Sequence, residues 1–226
     1  GINYSESRLM RIAIDGKSKM KSVIKPKKSE LVPQFQNRII DMLPDEPNKI
    51  LMALDLKIAN YPSVYKVDLE SNRTRKIIHR AKTHIVGWLT DRQHRVRIGF
   101  GRDDTRVFFR LLDPDTDTWK NIWEYEKFSA PDISPLGFGR DPNELYIRAD
   151  HEGRYAIFKV DVSDPKLPKT LMFSDPNYDV EGGLIYSRKS NDVIGVYHGE
   201  ASDSRVYFDS ESSSLQKSLN NALPNS

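Results

Sequence analysis

Apolar and polar residues alternate along much of this chain in short runs broken by turn-forming residues, the period-two signature of half-buried strands. A strand ending in aspartate recurs as Ile12-Ala13-Ile14-Asp15, Tyr65-Lys66-Val67-Asp68, Arg110-Leu111-Leu112-Asp113, Phe158-Lys159-Val160-Asp161 and Val206-Tyr207-Phe208-Asp209. The spacing of these aspartates is nearly constant, at about 50 positions, which marks an internal repeat. In the third copy Phe108-Phe109 predicts a one-residue bulge. A polar turn and an apolar pair follow, at Val23-Ile24, Ile77-Ile78, Ile122-Trp123 and Leu171-Met172, so each copy reads as a hairpin whose Asp bonds the turn backbone.

A second series runs in step with the first. Apolar stretches centred on Met52, Ile98, Ile147 and Gly195 keep the same spacing, each after a turn such as Pro44-Asp45-Glu46-Pro47-Asn48 or Arg140-Asp141-Pro142-Asn143. Shorter apolar runs precede those turns at Ile39-Ile40, Val86-Trp88, Leu136-Phe138 and Leu184-Tyr186. Four short strands in every repeat of that length make the blade of a β-propeller. The expected fold is therefore all-β: a β-propeller fragment of four-stranded antiparallel blades, with about three complete blades, partial blades at both ends and a short C-terminal helix. One partial propeller domain is expected over 1–226, with strands at about 9–25, 38–79, 85–125, 134–174 and 183–209. Leu215, Leu219 and Ala222, behind serine caps and before Pro224, predict the helix at about 212–223. Two readings of the half-blades stay open, a piece cut from a larger propeller or loose strands completing one shared blade of a small ring.

The 226 residues carry no cysteine, which excludes disulfides, zinc–thiolate sites, iron–sulfur ligation and cysteine nucleophiles. No apolar run approaches the roughly 18 residues of a membrane span, so no membrane partner is expected. Beginning at Gly1 without a basic-then-apolar leader, the chain reads as a mature or excised segment, and cytoplasmic and periplasmic placement stay equally open. Charge is uneven. Residues 1–40 hold nine basic and three acidic side chains, a balance of +6 against +3 for the whole, which leaves −3 for the remainder. Lysines on an exposed edge strand explain that start, and without interleaved aromatics no nucleic-acid partner is expected.

The run from Val86-Gly87-Trp88-Leu89 through Pro135-Leu136-Gly137-Phe138, Asn143-Glu144-Leu145-Tyr146 and Asp175-Pro176-Asn177-Tyr178-Asp179-Val180 to Gly182-Gly183-Leu184 resembles the N-terminal propeller of bacterial prolyl oligopeptidase-family serine peptidases, near the acylaminoacyl-peptidase and dipeptidyl-peptidase-like branch. The similarity covers about residues 40–224, and its most specific element is the Asp-Pro-x-Tyr-Asp-Val-x-Gly-Gly segment; the hairpins alone also fit TolB-like propellers. The resemblance implies a propeller that covers the cavity of an α/β-hydrolase domain bearing a Ser-Asp-His triad. The chain has no Gly-x-Ser-x-Gly elbow, so the hydrolase domain is absent from it and no catalytic, cofactor-binding or metal residue carries over.

Local candidates have plainer readings. Asp113, Asp115, Asp117 and Glu124 match the carboxylate spacing of a calcium loop, but Thr118 stands where the sharp turn needs Gly, so an Asp-rich hairpin turn is preferred. Asp103-Asp104 reads as a turn and not as an acid/base pair. His79, His84, His94, His151 and His198 never fall at metal-ligand spacing, although His151 and His198 stand at strand ends where a channel mouth is lined. Nothing local supports Ser134, Ser187 or Ser204 as a nucleophile. Trp88, Trp119 and Trp123 fit packing between blades, and Gly-x-Gly at 99–101 and 137–139 reads as strand-end turns.

The expected function is a non-catalytic propeller portion that gates and orients short peptides, with the hydrolase domain of the same chain and peptide substrates as partners and oligomers forming through open blade edges. The alternatives are a stand-alone TolB-like scaffold for a protein or peptide and a small-propeller glycosidase or lactonase.

Overall fold

The computed structural model describes residues 5–71, 75–129, 132–199 and 204–223. It falls into two compact units, Gly1–Thr90 with His94–Glu126, and Asp91–Gln93 with Lys127–Ser226.

The first unit opens with short strands β1 (Ser7–Arg8), β2 (Met10–Arg11), β3 (Lys21–Ser22) and β4 (Phe35–Gln36). β1 pairs in parallel with β4, and β2 antiparallel with β3. Two four-stranded meanders follow. The first is β5 (Ile39–Asp41), β6 (Lys49–Leu54), β7 (Ser63–Asp68) and β8 (Arg75–His79); the second is β9 (Ile85–Thr90), β10 (Val96–Asp103), β11 (Arg106–Asp113) and β12 (Thr118–Glu126). The second unit holds a third meander, β13 (Ile133–Phe138), β14 (Glu144–His151), β15 (Arg154–Asp161) and β16 (Lys169–Phe173). A three-stranded sheet comes next, β17 (Leu184–Tyr186), β18 (Val193–Tyr197) and β19 (Arg205–Tyr207), followed by helix α1 (Ser210–Ala222). Strand order is sequential in the three meanders and in the three-stranded sheet, as in propeller blades.

Recurring aspartates explain why the hairpins close where they do. The side chains of Asp68, Asp113 and Asp161, each ending the third strand of its blade, accept the backbone N–H two residues on, at 2.8, 3.0 and 2.9 Å. The turn between first and second strands repeats the device with Asp41, Asp91 and Asp141, at 2.9, 3.0 and 2.8 Å. Ser187 takes that place in the last sheet, accepting from Lys189 and Ser190.

Each unit has its own core. Both faces of the first blade are covered. Ile50, Met52, Tyr65 and Val67 pack against Val23, Ile24 and Leu9 of the N-terminal segment, while Leu51, Ala53 and Val64 pack against Ile85, Trp88 and Phe108 of the second blade. In the second unit Tyr146 and Ile157 of the third blade meet Val193, Val196, Val206 and Phe208 of the last sheet, with Val180 sealed between them.

Four expectations need correction. Ile12-Ala13-Ile14-Asp15 is not a strand; β2 ends at Arg11, and Ile12 and Ile14 are exposed. Val23 and Ile24 follow β3 and serve as buried packing residues. The bulge lies in β12 and not at Phe108-Phe109: Phe109 pairs with Trp123 and Arg110 with Asn121, which leaves Ile122 extra. Ile78 and Met172 are extra at the matching place in β8 and β16, so the bulge bends the outer strand of every complete blade. Gly99 and Gly101 lie inside β10, where a Cβ would press on Trp88 and Trp119, or stand 2.0 Å from the Phe108 ring.

Candidate functional site

The segment between β16 and β17 joins more of the second unit than any turn within a blade. Asp175 and Pro176 start it, and the Asp175 carboxylate accepts the backbone N–H of Asn177 at 2.7 Å and of Tyr178 at 3.0 Å. The Asp179 carboxylate then accepts the Tyr155 N–H at 2.7 Å, and Val180 donates its N–H to the Tyr155 carbonyl at 2.9 Å. The Val180 side chain is fully buried. Gly182 lies flat against the Tyr197 carbonyl, and the Gly183 carbonyl accepts the Tyr197 N–H at 2.9 Å. One short stretch thus ties β15 to β18.

His198 fixes the start of this stretch, its Nε2 lying 2.9 Å from Asp175 Oδ2 and its ring edge-on to Phe173. The bond from His198, reinforced by the Asn177 and Tyr178 amides, holds the Asp175 carboxyl below its ordinary range. Beside it the Tyr155 hydroxyl donates to Asp132 Oδ2 at 2.8 Å, which raises its pKa. The Arg148 guanidinium lies over the Tyr155 ring, 5.0 Å from its centre. Tyr178 and Glu181 are exposed along the same stretch. This stretch thus forms a rim of carboxylate and hydroxyl oxygens with the exposed Tyr178 ring beside them.

The other candidates lie apart. Asp113, Asp115 and Asp117 sit exposed in the β11–β12 hairpin turn, with Asp117 in the left-handed region, and Glu124 pairs with Arg106 on β12. Asp103 pairs with Arg106 and Asp104 takes the left-handed position of the β10–β11 turn. His94 bonds Asp41, His84 faces Asp103, and His151 stands edge-on to Phe158. His79 packs on Trp88 and Trp119, where burial lowers its pKa. Trp88 and Trp119 thus fill the space between the first two blades, whereas Trp123 packs on Phe109 within the second. Ser134 lies in β13, Ser187 in a turn, and the Ser204 carbonyl accepts the His198 N–H. Among the described residues no three His, Cys, Asp or Glu side chains gather as metal ligands.

A cleft of about 320 Å³ in the third blade is lined by Asp141, Asn143, Glu144, Lys159, Asp161 and Thr170. Its Lys159–Glu144 pair at 2.6 Å matches Lys66–Glu46 at 2.5 Å in the first blade, so the cleft belongs to blade construction. Sequence reasoning missed the Asp175–His198 pair, because 23 positions separate two residues whose contact depends on how two sheets pack.

No family model matches the chain. Over 155 residues, 67% of its length, the chain is 26% identical to dipeptidyl aminopeptidase BIII of Pseudoxanthomonas mexicana, and it spans 22% of that protein. Among solved structures it matches TolB from Acinetobacter baumannii with a TM-score of 0.51 and 17% identity, over 82% of this chain and 41% of that one. A protein from Lactobacillus plantarum matches at a TM-score of 0.38 and 16% identity, over 86% of this chain and 58% of that one, too loosely to bear on the fold. The chain is thus distantly similar in sequence to part of a dipeptidyl aminopeptidase, and it shares the propeller fold of TolB.

Proposed function

We propose that these residues are the non-catalytic propeller portion of a prolyl oligopeptidase-like serine peptidase, gating and orienting short peptides for a hydrolase domain outside residues 1–226. The observation that carries this reading is the peptidase homology on a chain folded into successive blades. Rigid sheets that share cores suit a filter, since they exclude bulky chains by shape without moving. The acceptor-rich rim at Asp175–Gly183, with Tyr155 and Asp132 beside it, is the surface that meets the polar backbone of a peptide. The 226-residue chain alone is expected to leave dipeptidyl chromogenic substrates uncleaved; turnover by the isolated chain overturns the reading.

A second reading, a stand-alone scaffold for a protein or peptide, draws on the likeness to TolB in fold. The reading frame separates the two: a Gly-x-Ser-x-Gly elbow followed by Asp and His downstream supports the peptidase, and a stop near Ser226 supports the scaffold.

A further inference from the structure

The N-terminal hairpin has a covered face and an open one. Leu9, Val23 and Ile24 pack on the first blade, and the Arg11 guanidinium donates to the Glu70 carbonyl, so one side of β2–β3 is committed. Met10 pairs with Ser22 on the opposite side, and the chain then protrudes through the turn between the two strands. Met10, Ile12 and Met20 are 42, 61 and 63% exposed, and Ile14 is fully exposed. Lys17, Lys19 and Lys21 lie in or beside the turn, and Lys25, Lys27 and Lys28 follow Val23-Ile24; all six are exposed, and none is in an ion pair among the described residues. Of the nearby carboxylates, Glu6 pairs with Arg8 and Glu30 with Arg75 in a buried contact, while Asp15 and Glu70 accept neutral N–H groups and keep their charge, leaving the lysines in excess.

Against the expectation of no membrane partner drawn from the lack of a spanning run, we infer that this hairpin tip is a peripheral docking surface for an anionic lipid bilayer. Exposed isoleucines and methionines in a segment where Lys17, Lys19 and Lys21 outnumber Asp15 supply both parts of interfacial binding, apolar insertion and attraction to acidic headgroups. The bilayer interface needs no shape match, which suits an irregular turn without regular strand pairing. A nucleic acid gives the isoleucines no partner, and no aromatic ring stands among the lysines to stack on bases. Among the described residues no helix is long and apolar enough to cross a membrane.

Sedimentation of the 226-residue chain with phosphatidylcholine vesicles, with and without phosphatidylglycerol, tests this. Binding is expected only with phosphatidylglycerol. Joint Lys17→Gln, Lys19→Gln and Lys21→Gln substitution weakens it on the order of a hundredfold, about fivefold per lysine. Ile12→Asn with Ile14→Asn weakens it roughly tenfold through lost apolar burial. All five side chains are exposed, so the variants keep the wild-type circular dichroism spectrum. Failure to bind anionic vesicles overturns the inference. So does binding that the isoleucine changes leave untouched, the behaviour of a charge patch for an acidic polypeptide or RNA.

Discussion

Gly182→Ala, set against Gly183→Ala, isolates what holds the Asp175–Gly183 segment in place. A Cβ on Gly182 would stand 1.6 Å from the Tyr197 carbonyl oxygen and 2.5 Å from its carbon, both backbone atoms, more than an ångström inside ordinary contact. No rotamer change relieves that overlap, so the segment must lift from β18. Lifting breaks the Tyr197 N–H to Gly183 carbonyl bond and strains the seat of Val180, which is fully buried. Tyr197 and Gly183 are both exposed, so losing their hydrogen bond costs about 0.5–1.5 kcal/mol, and partial exposure of a valine costs up to about 2 kcal/mol, which puts the total at about 1–3 kcal/mol. A Cβ on Gly183 meets nothing within 4 Å, so Gly183→Ala is neutral or stabilising by up to about 1 kcal/mol. Urea unfolding followed by circular dichroism gives the energies, and hydrogen exchange at the Tyr197 amide gives the location. Equal midpoints for the two variants, or a Tyr197 amide as protected in Gly182→Ala as in the wild type, would refute the reasoning.

Three further outcomes follow from single contacts. Arg75→Met leaves the Glu30 carboxylate, 6% exposed, with the Lys27 N–H but no counter-charge, and should cost about 3–5 kcal/mol, largely recovered when Glu30→Leu is added. Urea unfolding read by tryptophan fluorescence reports this, since Trp88, Trp119 and Trp123 all belong to the first unit; a double variant no more stable than the single refutes it. Asp175 has its folded pKa below the ordinary 3.8, so its contribution is present above the unfolded value and lost as pH falls through the folded one. Asp175→Asn should therefore flatten the acid limb of the stability curve below about pH 4, and an unchanged limb counts against the His198 contact. Asp209 caps α1 by accepting the Ser212 N–H at 2.7 Å, and no residue of that helix is buried. Asp209→Ala costs about 1 kcal/mol of helix stability, seen as lost helical ellipticity with the sheet signal unchanged.

Much of the blade rhythm is legible in the sequence because it rests on local rules. Aspartates at Asp68, Asp113 and Asp161 close hairpins through bonds to amides two residues away, and alternation marks which side of each strand is buried. The same local marks mislead at Ile12–Asp15, which copies the strand-plus-aspartate pattern without a neighbouring strand to pair with. Bulges at Ile78, Ile122 and Met172 fall in residues expected as plain apolar pairs, because register is set by the partner strand. The parallel β1–β4 pair sets Ser7 against Phe35, with the whole β2–β3 hairpin between them in sequence, and carries no periodic signal. At the candidate site, the resemblance singles out Asp175–Gly183, but its links to Tyr155 and His198 arise only when the third and fourth sheets pack.

Labelling with a serine-directed phosphonate probe, applied to the whole protein that carries these residues and followed by peptide mapping, tests the central claim most directly. The expected result is a single labelled serine outside residues 1–226, in a protein that cleaves short dipeptidyl substrates. Label on Ser134, Ser187 or Ser204, or a whole protein that neither takes the probe nor cleaves such substrates, would contradict it.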